Sequence, residues 1–171
     1  MGSAGPSSTP PATGAAMPLE VVHSATLPWA DALSRGPFQN RRKALGGQKL
    51  SAGLWELPPG KRSFPLHAHH VTEEALFVLS GRASIRTPEG LLPIGPGDFV
   101  SFPAGGPAHQ LVNDGTEPLV YLGLSAGQGV DVVEYPDSDK VAAAVGRPPT
   151  GLRFMFRKGS QVDYLDGEPG T

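Results

Sequence analysis

Short apolar runs that end at glycine or proline dominate the chain between residues 49 and 125. No long stretch there has apolar residues at the spacing of an amphipathic helix. Runs of this kind, rich in β-branched and aromatic residues and bounded by turn formers, are typical of strands. The pattern predicts strands at 49–57, 64–70, 74–80, 82–87, 91–94, 98–102, 108–113 and 118–125. So many short strands with close turns favour a small all-β barrel or sandwich.

One segment, SDKVAAAVG at 138–146, has the pattern of a helix. Ser138 or Asp137 is placed to cap its first turn, and Gly146 is placed to end it. The first residues are uncharged, small or proline, which is typical of a disordered segment. We therefore predict a disordered tail at 1–17, an N-terminal arm at 18–44, a barrel at 45–135, and a C-terminal helix and tail at 136–171 that packs on the barrel or on a partner subunit.

Composition excludes several functional classes. Lys and Arg number 14 and Asp and Glu number 16, so the chain has no basic field for nucleic acid or an acidic membrane surface. Cysteine is absent, which excludes disulfides, thiolate metal ligands and cysteine nucleophiles. No apolar run is long enough to span a bilayer, and the N-terminus lacks the basic start and apolar stretch of a secretory signal. We therefore expect a cytoplasmic protein.

The segment HAHHVTEE at residues 67–74 carries the densest set of chemically active side chains. Strand alternation puts His67 and His69 on one side and His70 on the other. Two imidazoles that converge in this way, with a carboxylate across the next turn, suit a metal ion. Either Glu73 or Glu74 can supply that carboxylate by position alone.

Two further histidines, His23 and His109, lie outside this segment. His23 is near the N-terminus, whereas His109 opens a later predicted strand after a proline- and glycine-rich loop. His109 is therefore the better candidate for a distant fourth ligand. Three imidazoles and one carboxylate suit Mn, Fe, Co, Ni, Cu or Zn and do not select among them.

Two stretches resemble the two motifs of the cupin superfamily. GKRSFPLHAHHVTEEALFVLSG at 60–81 is similar to the first motif, which has Gly, His-x-His, Glu and Gly in order. GDFVSFPAGGPAHQLVN at 97–113 is similar to the second, which has Gly, Pro-x-Gly, His and Asn. Each stretch is one residue longer than the usual pattern, before His67 and before His109, and both extra residues fall in loops. The resemblance implies a double-stranded β-helix, the jelly-roll barrel of small bacterial single-domain cupins.

The resemblance also implies a set of ligands for one divalent transition metal: His67, His69, Glu74 and His109. Glu74 is preferred because it stands at the motif distance from Gly81, and Glu73 remains the alternative. We assign no catalytic residue beyond these ligands. Asn113 is expected to bond backbone near the site.

A site of this kind predicts an enzyme that chelates a small oxygenated metabolite to the metal. We favour a dioxygenase slightly, because three histidines and one glutamate suit redox-active metals. A metal-dependent isomerase or epimerase of a sugar-like substrate is the alternative, and a binding protein without turnover is the third possibility. The continuous apolar run at 74–80 indicates a subunit interface and hence a homodimer. No nucleic acid or membrane partner is expected.

Overall fold

The architecture is taken from a computed structural model, which describes residues 19–47, 49–127, 129–146 and 151–170. Helical structure in these residues is confined to three short 3-10 turns, at Ser24–Thr26, Pro136–Ser138 and Lys158–Ser160. The strands are β1 (Ala30–Arg35), β2 (Phe38–Gly46), β3 (Ser51–Leu57), β4 (Ala68–His69), β5 (Glu73–Ser80), β6 (Ala83–Thr87), β7 (Gly90–Ile94), β8 (Phe99–Phe102), β9 (Gln110–Val112), β10 (Leu119–Ala126), β11 (Val130–Tyr135), β12 (Lys140–Val145) and β13 (Leu152–Arg157). The predicted all-β class is confirmed.

The strands pair antiparallel in three sheets. The largest sheet has the order β1-β2-β3-β10-β5-β8, a second has β13-β12-β11-β4, and a third has β7-β6-β9. Neighbours in each sheet are often distant in sequence, as in a jelly roll. One consequence is that β11 lies directly beside the short histidine strand β4, through the pairs Val133–His69 and Glu134–Ala68.

The core consists of aliphatic side chains that alternate inward along the strands. Leu57, Val78 and Leu119 are fully buried and pack with other apolar residues of β5, β6, β9 and β10. Burying one such side chain contributes about 1.5–3 kcal/mol. Trp55 and Phe102 pack against the edge of this cluster, and Phe102 also stacks on His109. The core therefore supports one of the candidate metal ligands directly.

Gly81, which ends the first motif, has a φ of 80° at the turn from β5 to β6. A Cβ atom at this position would lie 2.3 Å from the carbonyl oxygen of Pro118. Both the backbone conformation and the close approach exclude larger residues. The motif glycine is therefore explained by the turn and not by chemistry at the site.

The helix predicted at 138–146 is wrong. Only Pro136–Ser138 form a 3-10 turn, and Lys140–Val145 form β12 between β11 and β13. Asp139 has a φ of 48°, a left-handed conformation that stops a helix from continuing. The alanines favour a helix locally, but both edges of the segment pair with strands and Ala142 is fully buried in the sheet. Tertiary pairing overrides the helix propensity.

Several boundaries also differ from the predictions. The strand predicted at 64–70 is only two residues long, β4, and His67 joins the fold through an isolated bridge to His109. Described residues of the predicted arm at 18–44 form β1 and most of β2, which extend the largest sheet. Strands β11 and β13 were not predicted. Among the described residues, no helix is long and apolar enough to cross a membrane.

Candidate metal centre

The four predicted ligands come from three separate parts of the fold. His67 and His109 sit opposite each other, with His67 N donating to His109 O at 3.2 Å and His109 N donating to His67 O at 2.8 Å. His69 lies on β4 and Glu74 near the start of β5. These two reciprocal hydrogen bonds hold the backbones of His67 and His109 together, although the two residues are 42 positions apart in sequence (109 − 67).

The structure brings the four side chains to one place. Ligand atoms of His67, His69 and Glu74 lie within 4.8 Å of one another. The Glu74 Oε2 atom is 3.5 Å from His69 Nε2 and 3.7 Å from His109 Nε2. The rings of His67 and His109 are 4.7 Å apart between centroids. Ligand atoms of two imidazoles and one carboxylate therefore meet in one space, and His109 Nε2 adjoins it beside Glu74.

The hydrogen bonds of two histidines suit a metal at their Nε2 atoms. His67 Nδ1 lies 2.8 Å from the carbonyl oxygen of Pro65, and His69 Nδ1 lies 2.5 Å from Oδ2 of Asp131. Both partners only accept hydrogen bonds, so each Nδ1 must carry the hydrogen. In the neutral ring this leaves a lone pair on Nε2, which is the form that binds metal. The residues present therefore fit a divalent transition metal.

Electrostatics at the cluster favour the protonation states that a metal requires. Burial, together with the neighbouring His109 and His69, lowers the pKa of His67 to about 4. Burial alone would raise the pKa of Glu74, but its contacts with His109, His69 and His67 lower it overall. Neutral imidazole beside ionised carboxylate is the ligand state of such sites.

Three sequence candidates lie outside the cluster. Glu73 is exposed, whereas Glu74 is partly buried and faces the histidines. His70 is on the outer side, where its Nε2 lies 3.2 Å from Oε1 of Glu134. His23 is exposed near the start of the described chain. The geometry thus favours Glu74 over Glu73 and sets His70 and His23 apart from the site.

Aromatic side chains surround the histidines. The Phe102 ring stacks on His109 at 3.9 Å between centroids, and Phe64 meets His67 edge-on at 6.4 Å. Trp55 stacks on Tyr121 and contacts Phe64. The surroundings of His67 and His109 are therefore aromatic, whereas His69 and Glu74 remain partly exposed.

Two glycines make room for the Trp55 indole among these aromatic side chains. A Cβ at Gly123 would lie 2.7 Å from Trp55 Nε1, and one at Gly53 would lie 3.0 Å from the same atom. Gly53 lies two residues before Trp55 on β3, and Gly123 lies opposite Gly53 on β10. A larger residue at either position would displace the indole from its contacts with Tyr121 and Phe64.

Motif reasoning missed two residues near the cluster, Asp131 and Tyr135, which both lie on β11. Asp131 is 8% exposed and bonds His69. Tyr135 stacks on His67 with ring centroids 6.2 Å apart. The signal for Asp131 was available in the sequence VDVVEY, because strand alternation puts this acid on the same face as the buried Val133.

Asn113 is fully buried, and its amide nitrogen donates to the carbonyl oxygens of Leu57 and Glu117. Its Oδ1 accepts from Gly115 N at 3.0 Å. These bonds hold the loop between β9 and β10, at the end of β10 away from Glu74. The residue bonds backbone as expected, but its position supports the barrel and not the metal cluster.

Comparisons with known proteins agree with this architecture. The family profile for the cupin domain matches residues 53–125. A provisionally assigned sugar phosphate isomerase from Acidithiobacillus ferrooxidans is 33% identical, with 73% of this chain and 80% of that chain covered and a TM-score of 0.65. A comparison with curated protein sequences gave no match.

Two other solved structures are more distant in sequence and show the fold alone. A sugar phosphate isomerase of the cupin superfamily from Silicibacter pomeroyi is 22% identical, with 86% of this chain and 98% of that chain covered and a TM-score of 0.71. A predicted oxalate decarboxylase from Thermotoga maritima is 21% identical, with 64% and 100% covered and a TM-score of 0.56. The motifs, the barrel, the family match and these structures together lead to one conclusion: the chain belongs to the cupin family.

Proposed function

We propose that this cupin is an enzyme that holds one divalent transition metal and acts on a small metabolite with two adjacent oxygens. The observation that carries the proposal is the meeting of His67, His69 and Glu74 within 4.8 Å, with His109 Nε2 3.7 Å from Glu74. The bound metal would supply Lewis-acid stabilisation of negative charge on a substrate oxygen. The residues proposed to hold the metal are the four that the cupin motifs suggest.

We propose that Tyr135 assists a substrate at this centre. Its ring lies nearly parallel to the His67 ring, with an angle of 23° between the planes. Burial raises the pKa of the phenol, with Arg153 opposing and Asp131 reinforcing the shift. The hydroxyl is therefore protonated at neutral pH and can donate a hydrogen bond to a substrate oxygen beside His67.

Among reaction classes, we propose isomerisation of a sugar-like substrate first. Support comes from the 33%-identical protein, which is provisionally assigned as a sugar phosphate isomerase. A cation also lies near the same edge of the site, since Lys140 Nζ is 5.5 Å from the centre of the Tyr135 ring. An ammonium group at this position suits an anionic substituent such as a phosphate.

Proton exchange with solvent tests this reaction class. Protein purified without a histidine tag would first be analysed for bound metals. Aldose and ketose phosphates would then be incubated with the protein in D₂O and followed by NMR. We expect deuterium at the carbon next to the carbonyl, and its loss after chelation of the metal. Folded protein that binds no metal would overturn the proposal for the whole site.

A dioxygenase is the second candidate, favoured by the donor set of three imidazoles and one carboxylate, which suits redox-active metals. Bound iron or copper, with oxygen uptake on a panel of diketones and catechols, would support it. Bound zinc with no oxygen uptake would count heavily against it. Metal retention with neither oxygen uptake nor proton exchange would indicate a binding protein without turnover.

We also propose that the protein forms a homodimer. Every residue of β13 is exposed, including Phe154 at 50% and Phe156 at 51%, and their rings stack on one face. An apolar edge strand pairs readily with a second copy of itself around a two-fold axis, which closes the assembly. Light scattering should give the mass of a dimer, and Phe154→Ser with Phe156→Ser should shift it towards monomer. An unchanged mass would reject this interface.

A further inference from the structure

Asp131 lies outside the segment that matches the cupin domain, yet it reaches the candidate metal centre. The match ends at residue 125, and Asp131 is on β11, which follows it. Strand β11 pairs with the histidine strand β4. The inward face of β11 therefore looks onto the ring of His69. Asp131 is only 8% exposed, so its carboxylate needs hydrogen-bond partners to offset the loss of hydration.

Both oxygens of Asp131 are used, and their partners belong to the ligand segment. Oδ2 lies 2.5 Å from Nδ1 of His69. Oδ1 accepts the backbone N–H groups of Val71 at 3.0 Å and Thr72 at 3.4 Å. One carboxylate thus holds both a ligand ring and the turn that leads from β4 to Glu74. The turn fixes the distance between two ligands that are five residues apart in sequence (74 − 69).

The three histidines differ in the hydrogen-bond partner of Nδ1, the ring nitrogen that would not bind the metal. Asp131 holds His69, and a backbone carbonyl holds His67. Among the described residues, the buried Nδ1 of His109 has no hydrogen-bond partner. His69 is therefore the one of the three whose second nitrogen meets a full negative charge. A carboxylate at this position fixes the tautomer and ring orientation and makes Nε2 a stronger ligand.

We propose that Asp131 is a positioning residue for the metal centre, orienting His69 through Oδ2 and the turn to Glu74 through Oδ1. This inference rests on the proposed metal function. It adds that the sheet outside the family-matched segment belongs to the working site. Removal of a carboxylate of this kind lowers metal affinity by roughly 10- to 100-fold in other sites, and we expect a loss of that order for Asp131→Ala.

Metal titration of the whole chain tests the proposal. Apoprotein would be titrated with Co²⁺ and Zn²⁺ against a chromogenic chelator, and the visible spectrum of the Co²⁺ form would be recorded. Asp131→Asn keeps the shape but not the charge, and we expect it to bind more weakly than wild type, more tightly than Asp131→Ala, and with a shifted Co²⁺ spectrum. Glu134→Gln is the matched control, because Glu134 lies on the same strand and bonds His70 outside the site.

Each result bears on a different claim. If wild-type protein binds neither metal, the proposed function fails before Asp131 is tested. If wild type binds and both Asp131 variants bind equally well with the same spectrum, the positioning role is rejected while the metal site stands. Equal losses in Glu134→Gln and Asp131→Asn would also reject it. If Asp131→Ala does not fold, ¹⁵N NMR of the histidines in wild-type apoprotein at pH 8 provides the test. The proposal is overturned if His69 Nδ1 carries no hydrogen.

Discussion

The two faces of the β4–β11 pair hold the same chemistry in different surroundings. On the inner face His69 meets Asp131 at 2.5 Å, with side-chain exposures of 17% and 11%. On the outer face the next residue, His70, meets Glu134 at 3.2 Å, with exposures of 46% and 35%. Residue type alone would not separate these pairs. Their positions separate them, because, of these two histidines, only His69, on the inner face, also has Glu74 next to its Nε2 atom.

The outer pair also has a competing partner that the inner pair lacks. Lys158 Nζ lies 2.8 Å from Oε2 of Glu134, so this carboxylate is shared between a cation and His70. The Lys158 contact, ahead of the His70 bond, lowers the pKa of Glu134. Solvent screens an exposed network of this kind. A histidine–carboxylate contact in this fold therefore indicates a functional site only where burial and a further candidate ligand accompany it.

Removal of the imidazoles one at a time should separate the inner face from the outer face most strongly. We expect His67→Ala, His69→Ala and His109→Ala each to lower metal affinity by at least about 100-fold, because each removes a direct ligand. His70→Ala should bind as wild type does. Elemental analysis after dialysis, with isothermal titration of the apoproteins, measures both. If His70→Ala alone emptied the site, the strand register of the ligands would be wrong.

Removing Asp131 from the inner face should lower the free energy of unfolding more than removing Glu134 from the outer face. Asp131→Ala leaves the ring of His69 and two backbone N–H groups without their acceptor, which costs about 1–3 kcal/mol of unfolding free energy. Glu134→Ala removes an exposed pair and should cost about 0–1 kcal/mol. Urea unfolding in the presence of EDTA measures this difference without metal. Equal costs would mean that burial does not distinguish the two carboxylates.

Lowering the pH should reduce the free energy of unfolding of the apoprotein through the buried His67. The unfolded chain protonates His67 near its ordinary pKa of 6.5, but the folded chain does so only near about 4. The unfolded state therefore binds more protons in this window, and the free energy of unfolding falls as the pH is lowered from about 6.5 to about 4. Thermal melts across this range should show the fall. His67→Gln should make it less steep, and an unchanged slope would remove His67 as its cause.

The smallest effect is expected at the outer network. Lys158→Met removes the cation beside Glu134 and should leave the melting temperature almost unchanged at physiological salt, because solvent screens this exposed pair. Metal affinity should not change. Melting temperatures at low and high salt would reveal any contribution, since screening removes it. A loss of metal in this variant would connect the two faces and refute their independence.

The fold class could be predicted from sequence because strands and turns follow short-range patterns, whereas the full set of four candidate ligands came from the cupin resemblance. Strand alternation separates His69 from His70 within two residues, and motif spacing prefers Glu74. The link from Asp131 to His69 spans 62 residues (131 − 69) and depends on the pairing of β11 with β4. No local pattern specifies that pairing. The short strand β4 itself carries too little sequence to indicate its partner.

The error at 138–146 has the same origin. Alanine and valine there are compatible with either helix or strand, and a short helix gains little stability without packing. Backbone hydrogen bonds to β11 on one side and β13 on the other stabilise the segment as the strand β12.

The backbone bridge between His67 and His109 has a consequence for how such a protein diversifies. Two reciprocal hydrogen bonds set the separation of the first and last ligand. The loop before His109 belongs to the same frame, because Gly105 N donates to His69 O at 2.7 Å. An insertion between Pro103 and Pro107 should therefore lower metal affinity. Substitutions that leave these backbone bonds intact are the route by which the surroundings of the site can vary while the ligand spacing is kept.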